Sequence, residues 1–219
     1  MPAFVFMSAA AVSPLVVRRR ILDLGCGSGR TLAKFGWLVS ADEHVVGVDI
    51  QTESLRIAHQ SYPQRCFLSA RGENLPFPNA SFETVLCHIA LPYMDISKAL
   101  SEIERVLVPG GTLRLALHDW HFAMAELRRA LPHPNRTLFR IYVLANGLLF
   151  HFTGKSSLTY FMSRVESFQT ECGMRKALER CGFTNLSFRR ENAKFLVDAC
   201  KPSPSNASSW HSLAAVSVA

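Results

Sequence analysis

Asp23-Leu24-Gly25-Cys26-Gly27-Ser28-Gly29 places three glycines at alternate positions starting two residues after an acidic one, at the end of the run Ile21-Leu22-Asp23-Leu24. Glycine lets a backbone turn sharply and lets a ligand approach without meeting a Cβ. A dinucleotide fingerprint, G-x-G-x-x-G, would need glycine where Arg30 stands, and a Walker loop would need G-K-[ST]. The loop thus disfavours a pyrophosphate but not a nucleoside-like ligand. Asp49 closes a second apolar run twenty residues after Gly29. A carboxylate there can accept both ribose hydroxyls in charge-assisted hydrogen bonds.

For a loop and an acid to meet one ligand, the runs that carry them must end side by side. Ile21–Leu24 and Val45–Ile50 read as buried strands. The first is followed by the helical spacing of Leu32, Phe35, Leu38 and Val39, the second by a helix over Thr52–His59. Cys66–Leu68, Thr84–Cys87 and Thr112–Leu117 extend the series. Ile96, Leu100, Ile103, Val106 and Leu107 mark a helix face that Pro109-Gly110-Gly111 stops. Residues 120–165 hold two helical stretches and no convincing strand. Asn135 can cap the second, whose stripe is Leu138, Ile141, Tyr142, Ala145, Leu149 and Phe152. Phe139, Val143, Leu144, Leu148 and Phe150 fall outside that stripe, so this helix is apolar nearly all round and needs an apolar neighbour on each face. Met174, Ala177, Leu178 and Cys181 mark another helix, with Gly182 at C′, and strands follow near Thr184–Arg190 and Lys194–Cys200. The alternation predicts an α/β doubly wound, mostly parallel sheet covered on both faces. Ligands of such sheets bind beyond the carboxyl ends of the strands, where the glycine loop falls.

At 219 residues, 48% apolar, 19% charged and with mean hydropathy +0.12, the chain is not disordered, collagen-like or coiled-coil. The expected organisation is a short extension over 1–17, one domain over 18–201 with a helical insertion at 120–165, and a disordered tail at 202–219. The net charge of +7 is uneven: residues 1–120 carry 11 basic and 11 acidic side chains, residues 121–219 carry 13 and 6. Basic runs never exceed three residues, which reads as solubilisation of an apolar segment rather than a nucleic-acid surface. The six cysteines include no C-x-x-C, so no metal site or redox dithiol is expected, and they read as reduced thiols of a cytoplasmic protein. Met1–Val17 has no leading positive charge and contains Pro2 and Pro14, which argues against a secretory signal. No run reaches the roughly 18 apolar residues of a membrane span, leaving peripheral contact as the one membrane role.

Ile21–Arg30 resembles the first motif of the class I S-adenosylmethionine-dependent methyltransferases, and Val45–Ile50 the second. Arg71-Gly72-Glu73-Asn74-Leu75-Pro76-Phe77-Pro78 with Ser81-Phe82-Glu83 is similar to that family's A-E-x-L-P-F…S-F-D segment. Arg105-Val106-Leu107-Val108-Pro109-Gly110-Gly111 resembles its R-V-L-x-P-G-G motif. The four motifs follow in order over about residues 20–118, as in the subgroup of ubiquinone/menaquinone biosynthesis and small-molecule methyltransferases. The resemblance implies a Rossmann-like seven-stranded sheet with the last strand antiparallel, and S-adenosyl-L-methionine as cofactor. It also implies that Asp23, the loop Gly25, Cys26, Gly27 and Gly29, and Asp49 with Ile50 hold the methionine and ribose parts. Glu73, Asn74 and His88 complete the candidate cofactor set. Two features depart from the pattern. Arg71 stands where an acid often faces the adenine, and little more than 20 residues precede the first strand.

Methyl transfer is an in-line displacement in which alignment can supply about 7–11 kcal/mol of the barrier. A base is needed only when the acceptor must lose a proton. His88, Tyr93, His118, Asp119 and His121 follow the fourth and fifth strands; His118 and Asp119 are the candidate catalytic pair, against the alternative that Asp119 caps the next helix and His118 packs on the sheet. Ala90-Leu91-Pro92-Tyr93 lacks the Asn or Asp of an N/D-P-P-Y tetrapeptide, which argues against amino-group methylation of DNA or protein. Tyr93, His121, Phe139, Leu148 and Phe150 are the candidate substrate-side residues. With Arg128, Arg129, Arg136 and Arg140 in the same segment, the expected acceptor is a small lipophilic or aromatic metabolite with an acidic group. The alternatives are an RNA methyltransferase using the basic C-terminal half and a catalytically inactive, cofactor-binding regulator.

Overall fold

The structure is a computed structural model that describes residues 19–30, 44–118, 120–155, 166–191 and 194–203. The extension 1–17, the helix expected over Leu32–Val39, Asp119 and the tail beyond Ser203 lie outside the described residues. Strands β1 (Arg20–Leu24), β2 (His44–Asp49), β3 (Cys66–Ser69), β4 (Phe82–His88), β5 (Leu107–His118), β6 (Thr184–Glu191) and β7 (Lys194–Cys200) form one sheet in the order β3-β2-β1-β4-β5-β7-β6. β7 runs antiparallel to both β5 and β6, and the β1–β2, β1–β4, β2–β3 and β4–β5 pairs are parallel. This is the Rossmann-like α/β sheet expected, with its last strand reversed. The chain steps outward from β1 to β3, then returns to the other side of β1 as β4, so a crevice opens where these strands end.

Helices α1 (Thr52–Ser61), α2 (Ile96–Val106), α3 (Trp120–Ala130), α4 (Pro134–Thr153) and α5 (Glu171–Arg180) complete the described elements, with a 3-10 turn at Leu91–Tyr93. α2 forms because Ile96, Ala99, Leu100, Ile103 and Val106 repeat at helical spacing and all are buried, while the Asp95 side chain caps the Lys98 N–H. These residues join Leu22, Leu24, Val85, Leu113, Leu115 and Leu117 of the sheet in the main core.

Arg105, the first residue of the R-V-L-x-P-G-G motif, ties two motifs together. Its guanidinium donates to the carbonyls of Phe77 (2.7 Å) and Leu75 (2.9 Å), to Asn79 Oδ1 (3.0 Å) and to both oxygens of Glu102 (2.8 Å each). Glu102 in turn accepts the Leu75 N–H at 2.7 Å. Pro109-Gly110-Gly111 does not end α2: the helix stops at Val106, and β5 begins at Leu107 rather than Thr112. While β5 advances from Leu107 to Thr112, its partner on β4 advances only from Phe82 to Thr84, so the tripeptide is a bulge within the strand.

The insertion departs from expectation in two ways. Asn135 is not the cap of α4: His133 occupies that position and Pro134 takes the first helical turn, where its missing N–H costs nothing. The stripe carrying Leu138, Ile141 and Phe152 faces solvent, and Val143, Asn146, Gly147 and Phe150 face inward. The inner face is set by close approach. A Cβ on Gly147 would lie 2.1 Å from the Phe168 ring, and buried Asn146 donates to the Glu166 carbonyl at 2.9 Å. Among the described residues no helix is long and apolar enough to cross a membrane.

Candidate active site

The glycine loop is held against the end of β2, because the N–H groups of Gly25 and Cys26 both donate to the Val48 carbonyl (2.7 and 3.1 Å). Gly25 has φ +73°, and a Cβ there would lie 2.1 Å from that of Ala90, so only glycine lets the loop after β4 come this close. Gly27, at φ +52°, has the opposite surroundings: among the described residues a Cβ would meet nothing within 4 Å. Among the described residues the backbone above Gly27 faces open space, the room a ligand lying along the loop requires. Cys26 is buried, and burial pushes its thiol up, which makes it a packing residue rather than a nucleophile. Gly29 at φ +80° completes the loop.

Asp23 is the penultimate residue of β1 and Asp49 the last of β2. Asp49 closes the loop from outside: Oδ2 accepts the Gly27 N–H (2.8 Å) and Oδ1 the Gln51 N–H (2.9 Å). Beside it Ile50 is exposed, an apolar surface for a base or ribose. Asp23 is fully buried, and among the described residues neither carboxylate oxygen has a hydrogen-bond partner. Burial, with the charge of Asp49 as a second cause, raises its pKa to about 7. An unpartnered buried carboxylate is costly and demands a donor or cation. The ammonium of S-adenosylmethionine is such a group, so the residues present fit this cofactor.

Glu73 and Asn74 lie on the loop after β3. Glu73 Oε1 accepts the Asp95 N–H (3.0 Å) and Oε2 lies 3.6 Å from Arg71 Nε, so Glu73 also anchors the start of α2. Asn74 is exposed and bridges back to Arg71. His88 ends β4, with Nε2 3.2 Å from Lys194 Nζ, a pairing that needs this nitrogen unprotonated. The β5–β7 register sets Lys194 opposite His118. Three strand ends thus bring His88, His118 and Lys194 together. Sequence reasoning missed Lys194, because only the antiparallel register of β7 places it there.

His118 stacks on Phe122 (centroids 3.9 Å apart, planes 10° apart). Burial, reinforced by Lys194 and opposed by Glu126, lowers its pKa, which favours the neutral, basic imidazole. Tyr93 and His118 line one small cavity with Pro92, Phe122 and Arg140. His121 is exposed in the first turn of α3, its ring 4.4 Å from Trp120. The other substrate-side candidates separate. Phe139 lines a different cavity between α3 and α4, and Leu148 faces solvent. Phe150 is a correction: it is fully buried in the main core and packs on Gly173 of α5, so it cannot line a substrate pocket. Among the described residues no group of His, Cys, Asp and Glu could hold a metal ion.

Residues 22–115 match the family model described as a methyltransferase domain. An O-methyltransferase of Aspergillus nomiae is 33% identical over 105 residues, covering 45% of this chain and 46% of that one. The ubiquinone/menaquinone biosynthesis C-methyltransferase of Vibrio parahaemolyticus is 36% identical over 102 residues, 43% of this chain and 39% of its own length. This chain thus spans less than half the length of these curated relatives. A crystal structure of an S-adenosylmethionine-dependent methyltransferase from Methanosarcina mazei superposes over 88% of this chain and 99% of that one, at 19% identity and a TM-score of 0.55, a likeness of fold. Over residues 22–115 the chain is thus similar to methyltransferase domains, and its fold is like that of S-adenosylmethionine-dependent methyltransferases.

Proposed function

We propose that the protein transfers a methyl group from S-adenosylmethionine to a small lipophilic or aromatic acceptor. The observation that carries this reading is Asp23, a fully buried carboxylate with no hydrogen-bond partner among the described residues, at the foot of a glycine loop that these residues leave open above Gly27. When bound, the cofactor supplies an activated methyl carbon. Asp23 holds its ammonium and Asp49 its ribose hydroxyls, while the loop N–H and Cα–H groups line its length. Ile50 and the segment Glu73–Asn74 flank the base. His118, neutral at physiological pH, takes a proton from an acceptor hydroxyl or acidic carbon, and Lys194 beside it favours the anion so formed. Asp119 is the alternative base next to it. Tyr93, Phe122 and His121 give the acceptor side aromatic surface, which supports a ring or hydrocarbon over a peptide or nucleic acid. The O- and C-methyltransferase relatives support the same substrate class.

The test has two arms. Calorimetric titration with S-adenosylmethionine should show one site per chain. Incubation with isotopically labelled cofactor and a metabolite extract should move label into an organic-soluble small molecule. Absence of cofactor binding would remove the reading; label appearing only in RNA would replace its substrate class.

A further inference from the structure

Arg129 of α3 and Arg136 and Arg140 of α4 line one cavity of about 480 Å³, together with Glu126, Asn135 and Phe139. Its size is that of a small-molecule site. Among the described residues Glu126 is the one carboxylate on this lining, and both its oxygens are already used, by Arg129 (2.8 Å) and Arg140 (3.0 Å). Arg140 also pairs with Glu166 at 2.9 Å, outside the cavity lining. Arg136 has no ion-pair partner among the described residues. Three guanidiniums therefore share one lining carboxylate, and α4 begins beside them with no acidic residue in its first turn to offset its positive end. The ring of Phe139, with the Arg140 guanidinium 5.5 Å from its centroid, adds an apolar wall to this cationic lining.

A lining of this kind is complementary to an oxyanion carried on an apolar body. We infer that the cavity binds the anionic group, carboxylate or phosphate, of an amphiphilic acid. Arginine forks match the paired oxygens of either group, and Phe139 packs against the body next to it. Arg140 also lines the cavity of Tyr93 and His118, so the anion site borders the strand-end crevice. Resting on the methyltransferase reading, this narrows the acceptor to lipophilic or aromatic acids, held by the anion at Arg129 and Arg136 with the body directed past Arg140.

Titration of the full chain with phenyl phosphate, inorganic phosphate and benzyl alcohol, followed through the arginine Nε–Hε resonances, tests the site. Phenyl phosphate should bind at least tenfold tighter than inorganic phosphate, and benzyl alcohol should leave the signals in place. The double variant R129Q/R136Q, exposed positions both, should weaken phenyl phosphate at least tenfold and leave S-adenosylmethionine affinity within twofold. Variants that bind phenyl phosphate like the parent, or either control binding as tightly as phenyl phosphate, would overturn the inference. Loss of cofactor binding in the parent chain would strike the methyltransferase reading instead, and the phenyl phosphate result would still decide the anion site.

Discussion

A carboxylate with both oxygens buried and unpartnered keeps its proton far above the usual acid range, and for Asp23 that means about 7. In the unfolded chain the same group ionises near 3.8. Between these values the folded protein holds a proton that the unfolded chain has lost, so the ligand-free fold loses stability as pH rises through the window. D23N should flatten that dependence and raise stability at neutral pH in urea melts, because an amide has no proton to lose in the buried site. The same variant should lose cofactor binding. Unchanged stability with unchanged binding would mean that Asp23 is neither strained nor in the site. Asp49 differs, since its oxygens already hold two backbone N–H groups. D49A should weaken S-adenosylmethionine by about 1.5–3 kcal/mol in calorimetry, and a folded variant with parental affinity would take Asp49 out of the ribose site. At His118 the sign is the reverse of Asp23: K194M removes a charge that lowers its pKa, so the imidazole titration followed by NMR should move up toward 6.5. Asp23 and Asp49 were legible in the sequence because residue type and spacing alone announce a loop and a strand-end acid. Lys194 was not, because its neighbours lie 106 and 76 residues away along the chain.

Elements explain which motif residues act on the ligand and which only hold the site. Arg105 touches no part of the crevice, yet five hydrogen bonds from it fix residues 75–79 and Glu102. R105A should destabilise the fold by about 2–3 kcal/mol through lost charged hydrogen bonds, read as a lower denaturation midpoint with the slope unchanged. A variant that keeps its midpoint would mean the segment is held by other contacts. In α4 the helical pattern was legible but its orientation was not. Apolar residues cover so much of the circumference that hydrophobicity could not choose a side. Asn146 and Gly147 mark the inner face, because one donates to the Glu166 carbonyl and the other admits Phe168. That is why Phe150 was read as a substrate wall and stands in the core. F150A should cost about 3–5 kcal/mol in stability while leaving cofactor affinity per folded molecule unchanged, and an affinity change larger than the stability loss would return it to the site.

Across the whole molecule the strand sequence was nearly complete from the residues alone, since short β-branched runs alternating with amphipathic helices admit few topologies. What periodicity could not give was the place of each strand in the sheet. That place has a consequence for how the chain is made. β7 lies between β5 and β6 and is synthesised after both. A nascent chain that has emerged only as far as Glu191 therefore has β5 and β6 without the strand that joins them, and β5 offers an unpaired edge flanked by Leu113, Leu115 and Leu117. The sheet can close only when Cys200 has left the ribosome, which makes folding of this half late and holds it exposed to chaperones and proteases during translation. Stalled nascent chains should stay protease-sensitive with Glu191 emerged and become resistant once Cys200 has emerged, whereas protection already at the earlier point would mean that β1 to β5 close without their antiparallel neighbour.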